Sequence, residues 1–217
     1  MGRFSWWGWQ ARRLLVFLEW LYNTFVLNQP ELIVQLQQGN ESAFKKLVDE
    51  WQDMVYNTAA GIVQNEDDAD DITQEVFIQV YQSVSSFKGE SKFSTWLYRI
   101  TVTKSLDHLK RKKTKKRFAF VQRLFGNSGE EQIHPEDFNH PGVLMEQKEK
   151  AATLFKALEQ LPDNQRIVFT LHKLEGLKHQ DIGEIMNLSV TAVESLIARA
   201  KANLRKILKD YYNKNIA

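Results

Sequence analysis

The chain has 217 residues, of which 43% are hydrophobic and 26% charged, and this balance is typical of a globular protein and excludes a disordered one. Its formal net charge is only +2, but the charge is segregated into an acidic block at 66–71, a basic block at 110–117 and a basic C-terminal end. Cysteine is absent, which excludes disulfides, thiolate nucleophiles and cysteine-based metal sites and is compatible with a reducing compartment. Glycine and proline are sparse, so the sequence favours a nearly all-helical protein.

Residues 1–26 form an aromatic N-terminal extension whose role the sequence leaves open. Arg12 and Arg13 precede a mainly apolar run that superficially resembles a signal peptide, but Glu19 and Asn23 interrupt it and no small-residue cleavage site follows. The run is too short and too polar to predict a membrane span. Three interpretations stay open: a helix at a membrane surface, a packing helix, and a start codon chosen too far upstream.

Three helices are predicted in the first part of the segment 27–117. Apolar residues recur at helical spacing over about 30–38 and about 41–63. A cluster of carboxylates at 65–71 then precedes a helix predicted at 72–84. Acidic residues next to a helix N-terminus are stabilised by its dipole, and this accounts for part of the cluster but not all of it.

A fourth helix, beginning at Phe93 or Ser94, joins an aromatic amphipathic part to a strongly basic part. Residues 110–117 hold seven positive charges in eight positions and almost no apolar side chain, so they cannot be packed in a core. They must face water or a polyanion. A merely solvated helix end is the alternative, but the charge density favours a polyanion.

Glycines, prolines and the lack of a sustained period predict a linker at 118–142. Helical spacing then returns at 143, which indicates a second globular domain over 143–212. Its helices are predicted at 143–158, 165–173, 178–186 and 190–208.

The last two of these helices have the spacing of a helix-turn-helix. Ile182 and Ile185 give the first helix an apolar face, and Gly183 permits a neighbouring element to cross closely. Asn187 can adopt the left-handed backbone of the turn, and Ser189 is a natural N-cap for the second helix. Any two helices could form such a packing corner, but the agreement of these features favours the DNA-binding motif.

The second helix of the motif has an inward and an outward face. The residues expected to face inward are Val190, Val193, Ile197, Ala200, Leu204 and Ile207. Those expected to face outward form a narrow face of mostly short side chains that could enter a major groove: Thr191, Glu194, Ser195, Ala198, Arg199 and Ala202. Arg199 is the better candidate for a base edge, Glu194 could accept a hydrogen bond from cytosine, and Lys201 would lie towards phosphates.

Two stretches together resemble a known family. DDADDITQEVFIQVYQSVSSFKGESKFSTWLYRI is similar to region 2, and LPDNQRIVFTLHKLEGLKHQDIGEIMNLSVTAVESLIARAKANLRKIL to region 4, of bacterial sigma factors of the extracytoplasmic-function group. The resemblance covers about 27–208, includes the order of the parts, and leaves the aromatic extension outside. It implies two small helical domains, region 2 at 27–117 and a region 4 helix-turn-helix at 143–212, joined by a flexible linker.

The resemblance also implies roles for individual residues. Residues that match the stretch docking on the clamp helices of the polymerase largest subunit are Asp67, Asp68, Asp71, Gln74, Glu75 and Phe77. Residues expected to contact the minus-ten element, whose extruded base needs a pocket and stacking surfaces, are Lys88, Ser91, Phe93, Ser94, Thr95, Trp96, Tyr98, Arg99, Thr103, Lys110 and Arg111. Residues expected to contact the minus-thirty-five element are Thr191, Glu194, Ser195, Ala198, Arg199 and Lys201.

Some of these residues carry a second interpretation. Trp96 could equally belong to the core, whereas Tyr98 and Arg99 are expected to be exposed. The sequence also departs from the family pattern. Thr103 stands where an asparagine that reads the minus-ten strand is common, and Glu194 and Leu196 stand where arginine or lysine is frequent. The promoter sequence should therefore differ from those of well-known relatives.

Three functions compete. The first is a dissociable promoter-specificity subunit that binds core RNA polymerase through its clamp helices and flap, contacts duplex and single-stranded promoter DNA, and is held inactive by an anti-sigma protein. It implies a cytoplasmic location, no enzymatic activity and no cofactor or metal. The second is an autonomous helix-turn-helix regulator that binds duplex DNA as a dimer without polymerase. The third is a metal-dependent nuclease that uses the acidic block.

Overall fold

The computed structural model describes residues 29–125 and 153–215, and within them the secondary structure is helical with no strand. The all-α prediction is confirmed. The elements are α1 (Gln29–Gln37), α2 (Glu41–Val63), α3 (Glu66–Ser83), a 3₁₀ turn (Val84–Ser86), α4 (Phe93–Phe125), α5 (153–159), α6 (Asp163–Phe169), a π-helical turn (Thr170–Leu174), α7 (His179–Met186) and α8 (Val190–Asn215).

Three predicted boundaries are wrong. Helix α8 ends at Asn215 and not at the predicted 208, since no glycine or proline follows Val190 in the sequence. Helix α3 begins at Glu66, six residues before the predicted start at 72, because the Asn65 Oδ1 accepts the Asp68 N–H at 2.7 Å and caps the helix. Helix α4 continues to Phe125, into the predicted linker, since the chain has no glycine or proline between its start and Gly126. The rest of that linker, the extension 1–26 and the helical prediction at 143–152 lie outside the described residues.

The described residues fall into two compact units, of which the first comprises 29–50 and 81–87. Leu36, Leu47 and Val84 are buried in it. The Gln37 side-chain amide donates to the Val84 carbonyl at 3.3 Å and to the Phe87 carbonyl at 2.9 Å. These bonds reach backbone acceptors at the start of the 3₁₀ turn and just after its end, so α1 is fixed against this turn by polar as well as apolar contacts.

The second unit comprises the described residues of 51–80 and 88–217, and so contains helices from both predicted domains. Helices α2, α3 and α4 contribute one set of fully buried side chains: Val55, Ile62, Ile72, Val76 and Leu97. The helices after residue 153 contribute another, and Leu158, Leu161 and Leu204 belong to its main cluster. Burial of a leucine or isoleucine side chain stabilises the fold by about 1.5–3 kcal/mol.

A close approach joins α2 to the π-helical turn within this second unit. The fully buried Thr170 hydroxyl donates to the Gly61 carbonyl at 3.0 Å. A Cβ added at Gly61 would lie 2.6 Å from Thr170 Cγ2 and 3.2 Å from Leu174 Cδ1. Only glycine fits this contact without displacement of a neighbour, which explains a glycine in the interior of a helix.

Candidate nucleic-acid and polymerase interfaces

The acidic face of α3 is only partly free for a partner. Asp67, Asp71 and Gln74 are exposed. Phe77, which was predicted to bind polymerase, is only 7% exposed, so its side chain packs in the core and supports the helix. Three carboxylates in the first turn of α3 are favoured by the helix dipole, as expected, but they lie inside the helix and not ahead of it.

Two carboxylates of α3 lie next to basic side chains of α4. Asp68 lies 3.2 Å from His108 Nε2 and 2.6 Å from Lys112 Nζ. Glu75 lies 3.7 Å from Lys104 Nζ and 3.5 Å from Arg111 Nη2. The acidic and basic blocks, which the sequence shows as separate, therefore neutralise each other in part.

Further cations of the basic block pair elsewhere in the chain. Lys113 Nζ lies 2.6 Å from Asp163, and Lys110 Nζ lies 3.4 Å from Asp107 of its own helix. None of the described residues 110–115 is buried, as the sequence predicted, but several of them also pair with carboxylates of the same chain. Lys110 and Arg111 keep most of their side-chain surface exposed, at 72% and 57%, so both stay accessible to DNA phosphates.

Aromatic residues at the start of α4 are packed against each other. Phe93 is 4% exposed, with its ring centroid 6.2 Å from that of Trp51 in a T-shaped arrangement and 5.4 Å from that of Trp96. Trp96 is half-buried, as one of its two interpretations allowed. Thr95 is only 3% exposed. Phe93 and Thr95 therefore form the floor of the predicted minus-ten site, and Trp96 keeps part of its side chain accessible.

The remaining minus-ten candidates differ in exposure. Lys88 and Thr103 are exposed, while Ser91 and Ser94 are half-buried. Lys88 precedes Gly89, whose φ of +72° places it in the left-handed region that favours glycine and turns the loop before α4. The exposed candidates therefore lie on the loop and on the solvent side of α4, around the aromatic floor.

Tyr98 is buried, and the prediction that it is exposed is wrong. Its side chain is 7% exposed, and its hydroxyl donates to Glu175 Oε2 at 3.0 Å. Burial, together with the Glu175 carboxylate, raises the pKa of Tyr98. Burial also raises the pKa of Glu175, although the hydrogen bond from Tyr98 opposes this shift.

Arg99 is exposed as predicted, but its donors already have an acceptor. Its Nε and Nη2 donate to the Glu184 carbonyl at 3.0 and 2.7 Å. That carbonyl belongs to the last turn of α7, where backbone acceptors have no partner within the helix and a cation is favoured by the helix dipole. The sequence indicated neither Glu175 nor Glu184 as a neighbour of this site.

The helix-turn-helix prediction agrees with the local geometry. Asn187 adopts the left-handed backbone with a φ of 54°, and the Ser189 hydroxyl accepts the Ala192 N–H at 3.2 Å. A Cβ on Gly183 would lie 2.7 Å from the Leu188 carbonyl oxygen. The element that crosses Gly183 closely is therefore the backbone of the turn itself.

The outward face of α8 is open. Its predicted contact residues are all exposed: Thr191, Glu194, Ser195, Ala198, Arg199 and Lys201. Val190, which was expected to face inward, is 44% exposed because it lies in the first turn, ahead of the packed part of the helix.

Two polar residues of α8 already have intramolecular partners. The Arg199 guanidinium donates to the Ser195 hydroxyl at 2.9 Å and to the Ser195 carbonyl at 3.3 Å. Glu194 lies 3.4 Å from His179 Nδ1. Both of these orientations can change without disturbing the fold, since the side chains are exposed.

In the part of the chain that the structure describes, no group of three or more histidine, aspartate or glutamate residues is arranged to hold a metal ion. Among the same residues, no helix combines the length and the apolar character that a membrane crossing requires.

Two family models match the chain, Sigma-70 region 2 over residues 47–115 and Sigma-70, region 4 over residues 152–204. The ECF RNA polymerase sigma factor SigW of Bacillus subtilis is 35% identical over 182 residues, which are 82% of this chain and 95% of that protein. The chain belongs to the extracytoplasmic-function sigma factors. The sigma-E factor of Haemophilus influenzae is 34% identical to this sigma factor over 175 residues, or 81% of the chain and 92% of the relative. The RNA polymerase sigma-H factor of Pseudomonas aeruginosa is 31% identical, over 82% and 93%.

Solved structures agree with this membership. The structure of CnrH in complex with the cytosolic domain of CnrY matches with a TM-score of 0.58 and 26% identity, over 82% of this sigma factor and 96% of that chain. The sigma factor RpoE in complex with the anti-sigma factor NepR, from Bartonella quintana, has the same fold, with a TM-score of 0.55 over 76% and 96% and 24% identity. Membership favours the promoter-specificity function over the autonomous regulator.

Proposed function

We propose that this sigma factor is a dissociable subunit that binds core RNA polymerase, selects promoters and helps to open them, without catalysing a reaction itself. The proposal rests on one observation. A single chain of this family contains both an exposed recognition helix, α8, and a helix with aromatic and cationic side chains, α4. The first surface is suited to a major groove and the second to an unpaired strand.

The exposed residues of α8 are proposed to read the minus-thirty-five duplex. Arg199 can present two parallel donors to guanine once it leaves Ser195, and Glu194 can accept from cytosine. Lys201 lies on the same exposed helix and would contact phosphates. Ser195 and Thr191 are small enough to let the backbone of α8 approach the groove.

The start of α4 and the loop before it are proposed to hold the minus-ten strand. Bases would stack on the half-buried Trp96, at about 1–3 kcal/mol per base, above a floor formed by Phe93. Lys88, Arg99 and Arg111 would pair with phosphates. Since Thr103 is exposed and has a hydroxyl but no amide, its readout of a base is less specific than an asparagine would allow.

The acidic side of α3 is proposed to dock on the clamp helices of core polymerase, through Asp67, Asp71 and Gln74 directly. Asp68 and Glu75 also contribute charge, although each is shared with cations of α4. The division into a domain at 27–117, extended by α4 to Phe125, and a domain at 143–212 belongs to the same proposal, as does the contact of the C-terminal domain with the polymerase flap.

An anti-sigma protein is proposed as a further partner. The relative CnrH, 26% identical to this chain, was solved in complex with the cytosolic domain of CnrY, which supports this proposal. Because its other partners are polymerase and promoter DNA, we expect the protein to act in the cytoplasm.

The decisive experiment mixes purified core polymerase, this sigma factor and genomic DNA, and sequences the 5′ ends of the RNA. We expect initiation at a limited set of sites that share two sequence elements at fixed spacing. The proposal fails if no complex with core polymerase forms and no RNA starts. Tight binding to a two-fold symmetric operator without polymerase would favour the autonomous regulator.

A further inference from the structure

The recognition helix carries a carboxylate on the face that is proposed to enter the major groove. Glu194 is exposed there, and DNA phosphates repel its negative charge. The residues one helical turn away from it on α8 are Val190, Thr191, Ile197 and Ala198, and none of them is charged. A cation that compensates Glu194 must therefore come from another element.

His179, the first residue of α7, supplies a basic group next to this carboxylate. Its Nδ1 lies 3.4 Å from Glu194 Oε1. The two side chains are 35% and 56% exposed, so water reaches the pair, and an exposed ion pair contributes little to the stability of a fold. The contact therefore matters for the orientation and charge of Glu194 more than for folding.

The imidazole of His179 is itself held in place. Its ring centroid lies 4.9 Å from that of His172, at an interplanar angle of 57°. His172 Nδ1 lies 3.2 Å from the Leu177 carbonyl oxygen, within hydrogen-bonding distance, and this contact fixes the His172 ring against the loop before α7. Both rings are half-buried. His179 is therefore the fixed member of the pair, and the more exposed Glu194 is the adjustable one.

We propose that His179 is a positioning residue for promoter recognition, which holds Glu194 by Oε1 and leaves Oε2 to accept from the amino group of a cytosine. The inference rests on the proposed function, since it assumes that α8 lies in the major groove of the minus-thirty-five duplex. A carboxylate has two oxygens, so one can contact the imidazole while the other accepts from a base. Without His179, the same carboxylate has neither a fixed orientation nor a compensating cation.

The charge of His179 makes this contact depend on pH. A histidine side chain changes its charge between about pH 5 and 8. A protonated His179 forms a neutral pair with Glu194, whereas a neutral His179 leaves the negative charge of Glu194 next to the phosphates. Bound DNA also removes water from the pair and so strengthens its attraction. Recognition of cytosine by Glu194 should therefore weaken as the pH rises.

Other charged or titratable groups surround His179, and the experiment has to separate them from the pair. They include His172 and Lys173 on the π-helical turn, Lys178 before α7, Asp181 on α7, and Lys92 and Arg99 on α4. A double-mutant cycle between positions 179 and 194 cancels their contributions, because each of them is present in all four proteins of the cycle.

The experiment uses holoenzyme, made of core polymerase and the full-length sigma factor, on a promoter found by transcript sequencing. Each base pair of its minus-thirty-five element is changed in turn, and promoter affinity is measured for wild type and for Glu194→Gln. The base pair whose preference differs between the two proteins is the one that Glu194 reads, and we expect a cytosine there. The affinity for this promoter relative to its substituted forms defines the cytosine preference.

The cycle compares this preference at about pH 6 and about pH 8. At the lower pH we expect His179→Ala to reduce it at least about threefold in wild type and to leave it unchanged in the Glu194→Gln background. At the higher pH this coupling should disappear. His179→Lys, which is charged at both pH values, should keep the preference at the higher pH. Gln180→Ala, an exposed neighbour on α7, is the matched control and should behave as wild type.

The outcomes distinguish the two proposals. If holoenzyme starts no RNA, the proposed function fails, and the positioning role fails with it. If RNA starts but Glu194→Gln alters the preference at no base pair, or His179→Ala leaves it unchanged at the lower pH, only the positioning role fails. Equal losses at both pH values would also overturn it, because a merely structural effect of His179 does not depend on its charge. His179→Gln, which is polar and uncharged, repeats the test if His179→Ala lowers the melting temperature, and should show the same loss.

Discussion

The two helices that are proposed to bind DNA differ in how much of their contact surface is open. On α8 every predicted contact residue is exposed, including Glu194, Ser195 and Arg199. On α4, Phe93, Thr95 and Tyr98 are buried, at 4%, 3% and 7% exposure. The contact residues proposed on α8 are therefore accessible to duplex DNA. On α4, several of the proposed contact residues are buried, and the exposed Arg99 already donates to a carbonyl of α7.

The difference shows what helical periodicity can and cannot predict. The helical period of the apolar residues is enough to predict the outward face of α8, because α8 packs along a single side against the helices before it. Helix α4 is covered on several sides, by α3 through ion pairs and by α7 at Arg99. When several neighbours pack against one helix, the sequence of that helix alone does not predict which of its residues stay exposed.

The largest effect is expected for Arg199→Ala. Loss of a bidentate contact to a base costs about 1–3 kcal/mol, or roughly 5- to 150-fold in promoter affinity. The change is exposed and should leave the melting temperature unaltered. It is measured by titration of holoenzyme against a promoter found by transcript sequencing, with Arg205→Ala on the same helix as the matched control.

Unchanged promoter choice and affinity in Arg199→Ala would mean that the orientation assigned to α8 is wrong. Arg199→Lys sharpens this test. A lysine keeps the charge but has no planar fork, so it should restore affinity for DNA in general without restoring the base preference.

Glu75→Lys is expected to lower the affinity for core polymerase by about tenfold or more, because like charges placed together at an interface are costly. Glu75 is 39% exposed and shared between Lys104 and Arg111, so the same change adds repulsion inside the domain. Binding is measured by competition for core polymerase against wild type.

Asp53→Lys is the matched control for Glu75→Lys, since Asp53 is exposed on α2 outside the proposed docking face. Equal loss of polymerase binding in both variants would show that net charge matters and the proposed patch does not.

Two lysines of the basic block should separate DNA binding from internal pairing. Lys110 is 72% exposed, so Lys110→Ala should reduce the slope of log affinity against log salt by about one. Lys112 lies 2.6 Å from Asp68, so Lys112→Ala should change the slope less and lower the stability by about 1 kcal/mol. Equal slopes in the two variants would contradict the pairing between α3 and α4.

The sequence predicted the helices, the turn and the recognition face because each depends on residues close in the chain. Asn187 and Ser189 specify their turn locally, and the apolar period specifies the inner side of α8. It did not predict the burial of Tyr98 or the partner of Arg99. Those contacts come from Glu175 and Glu184, which lie 77 and 85 residues away in the chain. Asn65 could have been identified as a cap from its own type and position. Gly61, in the interior of a helix, indicates that a neighbouring segment approaches closely, but the sequence does not show which segment it is.

The smallest effect concerns Glu175 and tests whether the contact at Tyr98 exists in solution. Burial raises the pKa of this carboxyl above 4.5 in the folded chain, so the folded state holds the proton more tightly than the unfolded state. Stability from this group is fully present below pH 4.5 and is lost as the pH rises through the folded pKa. Glu175→Gln removes the charge and keeps an acceptor for the Tyr98 hydroxyl. Its melting temperature should match that of wild type in acid and exceed it near neutral pH. Parallel curves for the two proteins would mean that Glu175 is solvated, and that Tyr98 is free to meet DNA as Arg199 is.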